Sequence, residues 1–151
     1  MANNLPFTSF NFVINLRIGS DTESICSGEF AECDGLEMSV APKTIREGGN
    51  NGQQIHLPAA VSYGQLTLKR GMTENWDLWN WFEDIQESPG LRAQGEVLML
   101  TSDRRDEVMF HLSGCMPIKM KAPTLNAKDG QIAIEEMQIA YESLYAERVG
   151  T

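Results

Sequence analysis

The sequence predicts a mainly β domain: a small antiparallel β-barrel or sandwich with one packed α-helix and a protruding β-hairpin. Three observations predict it. Apolar and polar residues alternate in several short runs, most clearly over 10–18. A single stretch, 73–90, switches to a helical period. Strands follow one another through short polar turns, and no strand–helix–strand unit appears that would build a parallel sheet.

Each element has its own warrant. Phe10, Phe12, Ile14, Leu16 and Ile18 share one parity, with Asn11, Asn15 and Arg17 on the other, so a half-buried strand is expected. Gly19-Ser20-Asp21 turns the chain. A short strand follows near 28–32, then a break at Gly35 and a strand over 36–40, with Pro42 at its end or edge because proline gives no ladder donor. Thr44-Ile45 and Gln54–Leu57 flank GGNNG, the pattern of a hairpin with little apolar surface. A strand over 63–70 alternates through Leu66 and Leu68 and ends at Gly71.

Thr73 or Asn75 is positioned to cap a helix, with Glu74 and Asp77 near the positive end of its dipole. Leu78, Trp81, Phe82 and Ile85 form its apolar stripe, and Ser88-Pro89-Gly90 stops it. Val97–Leu100 and the run from Glu107 to Gly114 make a hairpin around Asp103-Arg104-Arg105-Asp106. Residues 116–129, with Pro117 and Pro123, read as an irregular link. QIAIEEMQIAYESLYA reads as one long strand. Its apolar parity changes from Ile132 and Ile134 to Met137, Ile139 and Tyr141, which implies a bulge near Glu135-Glu136 or a crossing between sheets. The total is about seven strands and one helix.

The 151 residues fit a single domain, 1–151, with an extended hairpin at about 43–58. The formal net charge of −9 excludes a general attraction to nucleic acid or anionic membranes. Cys26, Cys33 and Cys115 are odd in number and widely spaced, as small buried thiols in a reducing compartment would be. The N-terminus lacks a basic start followed by an unbroken apolar run, so the expected site of synthesis and assembly is the cytoplasm.

No catalytic or metal constellation emerges. GGNNGQQ carries no Lys-Ser or Lys-Thr and does not open a helix, so it is not a phosphate loop. His56 and His111 have no partner at metal-ligand spacing; His111 reads as solvent-facing or interfacial. Adjacent Glu135 and Glu136 point to opposite faces of a strand and cannot act as a pair. No cofactor is expected and no enzyme. Trp76, Trp79 and Trp81 exceed what one helix face can bury, so some should face a neighbour.

Taken in order, FNFVINL, FAECDGLEM, IREGGNNG, HLP, LTLKRGMTENWDLWNWF, GCMPIKMKAPTLNA and IAIEEMQIAYESL resemble the tail-tube proteins of contractile phages and extracellular contractile injection systems. The resemblance spans nearly the whole chain. It implies a fold similar to the type VI secretion tube protein, hexameric rings, and stacking of rings into a hollow tube inside a contractile sheath. It implies as partners further copies of the chain, the sheath, baseplate and tube-initiator proteins, a tail terminator or cap, and cargo or DNA passing through the lumen without specific binding. The particle would be a phage tail or a phage-like device, released or membrane-anchored.

In such a tube, Lys43, Arg46, Glu47, Gly48, Gly49, Asn50, Asn51, Gly52, Leu57 and Pro58 are the candidates for contacts between rings. Trp76, Trp79, Arg104 and Arg105 are the candidates within a ring. Glu96, Glu107 or Glu135 would repel anionic cargo if they lined the bore. Two other readings stay open: a tube-initiator or terminal ring protein at the baseplate, and a small β-barrel that binds an apolar ligand.

Overall fold

The structure, a computed structural model, describes residues 12–18, 24–28, 30–46, 52, 54–100, 106–128 and 130–148; the side chains of 26–28, 46, 106 and 107 lie outside that description. Among the described residues there are ten strands and one helix. They are β1 (Phe12–Ile18), β2 (Ser24–Gly28), β3 (Glu32–Asp34), β4 (Met38–Arg46), β5 (Gln54–Tyr63), β6 (Gln65–Gly71), α1 (Asp77–Glu87), β7 (Ala93–Leu100), β8 (Asp106–Lys121), β9 (Ile134–Ala140) and β10 (Ser143–Arg148).

All pairings are antiparallel. The main path runs β2-β1-β7-β8-β9-β6-β3, with β10 on β8, and it is not closed into a barrel among the described residues. Strand β8 joins the two halves. Its first part pairs β7 and β10 up to Cys115, and its second part pairs β9 from Met116 onward. Gly114, at φ 63°, stands at the changeover. One strand serving two sheets makes the architecture a sandwich rather than a barrel.

The expected apolar faces are where the core lies. Ile14 and Leu16 of β1, Leu66 and Leu68 of β6, Leu78 and Trp81 of α1, Val97, Leu112, Met137 and Ile139 are all buried together. Ile85 is buried on the same helical stripe, and Phe82 packs partly against the cluster. Helix α1 lies over β8 and β2. Its first residue is Asp77, and Trp76 at the cap makes no side-chain capping bond. The two residues expected to cap it act one turn earlier: Thr73 Oγ1 accepts from the Asn75 N–H, and Asn75 Oδ1 accepts from the Asp77 N–H.

Four expectations are corrected. The strand expected over 28–32 is two, β2 and β3, on opposite ends of the path. Residues 116–121 are not a link but the second half of β8; Pro117 is buried there, at a register shift between Pro117 and Lys119 that removes the need for its missing N–H. The closing strand is two, broken at Tyr141-Glu142, and its register with β6 is regular through Glu135 and Glu136. Its buried parity is Glu135, Met137, Ile139 and Tyr141, whereas Ile132 and Ile134 are exposed. Finally, the hairpin is longer than 43–58, reaching from Met38 to Tyr63.

Candidate assembly surface

Strands β4 and β5 form a separate two-stranded ribbon. A ribbon of this kind is marginal in water without a surface to lean on. Among the described residues, hydrogen bonds and a ring contact join its base to the body. The Gly64 N–H donates to the Glu37 carbonyl at 3.1 Å. The Tyr141 hydroxyl donates to the Gly35 carbonyl at 2.7 Å and accepts from the Glu37 N–H at 3.1 Å. The Tyr63 and Tyr141 rings lie 5.8 Å apart and extend the core to the root of the ribbon. Gly35 holds φ 100° here, and a Cβ would stand 1.8 Å from the Gln65 carbonyl oxygen, so no other residue fits.

Beyond that root the ribbon exposes large apolar side chains. Met38, Val40, Ile45, Ile55, Leu57 and Val61 are each 40–54% exposed. Their register is Met38↔Tyr63 and Val40↔Val61 near the base, then Pro42↔Pro58, Lys43↔Leu57, Thr44↔His56 and Ile45↔Ile55 toward the tip. A register shift separates the two sets between Val40 and Pro42, and the prolines that follow it face each other where the ladder is already broken. The apolar positions of β4 change parity across that shift, from Met38 and Val40 to Ile45, whereas Ile55, Leu57, Val61 and Tyr63 share one parity along β5.

The second surface surrounds the helix. Arg70 of β6 forms an ion pair with Glu135 of β9, Nε to Oε1 at 2.5 Å, and another with Asp77 of α1. Trp79 Nε1 donates to Glu135 Oε2 at 2.8 Å. The Arg70 guanidinium carbon also lies 5.5 Å from the Phe30 ring centre. Glu135 is 1% exposed; the Trp79 bond ties it to the helix directly, and Arg70 links it to the helix through Asp77. It therefore cannot line a bore, contrary to the expectation for it. Glu96 is half-buried and paired with Arg17, and the Glu107 side chain lies outside the description. On the outer side, Trp76 stands half exposed with its ring edge-on to Trp79 at 5.7 Å. The two tryptophans, with Met72, Asn80, Glu83 and Ala122, line an open groove of about 550 Å³.

The sequence candidates fall as follows. Lys43, Leu57 and Pro58 sit on the ribbon, and Gly52 is exposed near its tip. Arg46 is placed by its backbone opposite Gln54. Glu47, Gly48, Gly49, Asn50, Asn51, Arg104 and Arg105 lie outside the described residues. Trp76 and Trp79 come together, while Trp81 belongs to the core. Of the ribbon's six exposed apolar side chains, the sequence candidates include Leu57 and leave out Met38, Val40, Ile45, Ile55 and Val61. Counting outward from the GGNNG bend would have paired Ile45 with Ile55.

Chemical groups are unremarkable. Cys33 and Cys115 are free thiols. Burial pushes both up to about 12, Asp34 adding to the rise at Cys33, so neither is a nucleophile at neutral pH. His111 is half-buried, stacked on Tyr145 at 4.5 Å and bonded to Glu147 at 2.8 Å. Among the described residues, no three His, Cys, Asp or Glu side chains gather as a metal site requires. No helix there is long and apolar enough to cross a membrane.

The described residues thus form a sandwich with one clamped helix and a ribbon whose apolar side chains stand exposed. Residues 8–145 match the model of the T4-like virus tail tube protein gp19 family, and the chain belongs to that family. Three solved assemblies contain chains of similar fold. One is the 6-fold symmetrised baseplate of the anti-feeding prophage, at TM-score 0.84 and 21% identity over 96% of this chain and 97% of that one. Another is the sheath-tube complex, in its extended state, of the extracellular contractile injection system PVC, at 0.81 and 18% over 97% and 94%. The third is the tube-terminating cap of the anti-feeding prophage, at 0.82 and 16% over 99% and 95%. No curated protein matches the chain. At these identities the likenesses speak to fold.

Proposed function

We propose that the chain is a structural, non-catalytic subunit of the inner tube of a contractile phage tail or phage-like injection system. It would form hexameric rings that stack into a hollow conduit, driven through a target envelope when the surrounding sheath shortens. The observation that carries this reading is the β4–β5 ribbon, which exposes six large apolar side chains on a fold of the tail-tube family. Apolar surface of that kind is stable in water only when something covers it. Further copies of the same chain are the partner that a tube supplies. Contacts through the ribbon run from one copy to a different surface of the next, so they do not close and they generate a filament. Within a ring, neighbours would cover β2 and β3, the strands that end the main path among the described residues.

The other partners follow from the same reading: sheath outside, baseplate and initiator at one end, terminator or cap at the other, and cargo or DNA inside without specific binding. Assembly would occur in the cytoplasm, before the particle is released or anchored. A second reading, a single initiator or terminal ring, draws support from chains of this fold in a baseplate and in a cap. A ligand-binding barrel is disfavoured because Leu16, Leu68, Val97, Met137 and Ile139 fill the space such a ligand would need.

Electron microscopy of the purified chain tests the proposal. Rings and hollow rods are expected for a tube subunit, and rings that never stack for a terminal one. A monodisperse monomer at high concentration would refute both.

A further inference from the structure

We infer that the distal face of the ribbon docks into the Trp76–Trp79 groove of a second copy, with Lys43 of one chain paired to Glu83 of the other. The inference rests on the tube-subunit reading and names the surface that reading leaves open.

Charge selects the two halves. On the distal face, Ile45, Ile55 and Leu57 surround Lys43, which stands directly opposite Leu57. The basal patch of Met38, Val40 and Val61 carries no charge. In the groove, Trp76, Trp79 and Met72 are flanked by Glu83. One surface is therefore apolar with a cation and the other apolar with a carboxylate. Among the described residues, neither Lys43 nor Glu83 has an ionic partner within its own chain. Glu83 is the one charged side chain among the residues that line the groove.

Rigidity supports the groove as a receptor. The bond from Trp79 to Glu135 fixes its indole, and Trp76 rests edge-on against it. Aromatic anchors held in place before binding lose little freedom on docking and are typical of the residues that dominate interfaces. The surfaces differ, so each copy uses its ribbon toward one neighbour and its groove toward another, as an open-ended stack requires. The sequence reading set Trp76 and Trp79 within a ring; this charge match moves them to the contact between rings.

Charge reversal in the full chain tests the inference. Lys43→Glu and Glu83→Lys each place like charges together. Each should lower the rod fraction at a fixed, limiting protein concentration by about fivefold or more, because a small pairwise effect repeats around every ring. The double variant should return to within about twofold of the unmodified chain. Trp76→Ala should shorten rods while the circular dichroism of dissociated subunits stays unchanged. Single reversals that assemble like the unmodified chain, or a double variant no better than the singles, would overturn the docking assignment and leave the tube reading standing. An unmodified chain that forms no rods would overturn both.

Discussion

Glu135 shows how one side chain can hold an element. It accepts from Arg70 and Trp79 beneath the helix, and Arg70 continues to Asp77 on that helix. Glu135→Ala would leave the guanidinium short of a buried partner, at a cost of about 3 kcal/mol, the lower end for a broken buried pair because Asp77 remains. Urea denaturation of dissociated subunits would measure it, and a loss under about 1 kcal/mol would mean the network is dispensable. The two positive-φ glycines should differ. At Gly35 a Cβ meets the Gln65 backbone, whereas at Gly114 it meets only the movable side chain of Glu142. Gly35→Ala should therefore destabilise by about 3 kcal/mol or more and Gly114→Ala by about 1–2 kcal/mol. Nothing in the sequence around Glu135 announced this role, because its partner lies 65 residues away. Adjacent Ile132 and Ile134 pointed to the wrong parity.

The thiols give a pH dependence with a definite sign. Burial raises Cys33 and Cys115 from 9.0 to about 12. Between those values an unfolded chain releases protons that the folded one keeps, so stability falls as pH rises through that window. The denaturation midpoint should be lower at about pH 10.5 than at about pH 8, and the drop should shrink in Cys115→Ala. A drop of unchanged size in that variant would assign the effect to other groups.

At the scale of elements, the ribbon and the helix have opposite origins. The helix was readable: Leu78, Trp81 and Ile85 recur at helical spacing and all are buried. The ribbon was readable in its distal arms, where Thr44 and Ile45 pair with His56 and Ile55, and not in its basal half. Ile55, Leu57, Val61 and Tyr63 share one parity along β5, but the apolar positions of β4 change parity across the register shift beside Pro42, from Met38 and Val40 to Ile45, so the arms look shorter and poorer in apolar surface than they are. Pro117 misled similarly, since a proline inside a strand marks a link until a bulge is seen to accommodate it. Removing 48–53 deletes most of the stretch that joins β4 to β5. The deletion should abolish stacking while the melting of the body shifts by only a few degrees; rods of ordinary length from the deleted chain would detach the ribbon from assembly.

For the whole molecule, order of elements carried more information than any residue. Antiparallel runs, one helix and a polar glycine-rich projection, in that sequence, led to the sandwich and to the tail-tube family. The strand that serves both sheets escaped, because sharing β8 is a property of three partners at once and leaves no local pattern. An assembly built by a contact that does not close has no intrinsic length. The chain alone should give rods of broad length distribution under the microscope. A single sharp length would require a ruler encoded in the subunit.

Hydrogen exchange of the β4 and β5 amides, compared between assembled and dissociated protein, addresses the ribbon most directly. Completion by neighbouring copies predicts slow exchange over 38–46 and 54–63 in rods and fast exchange after dissociation, with β1, β6 and β9 protected in both. Equal protection of the ribbon in lone subunits would show that it needs no second chain.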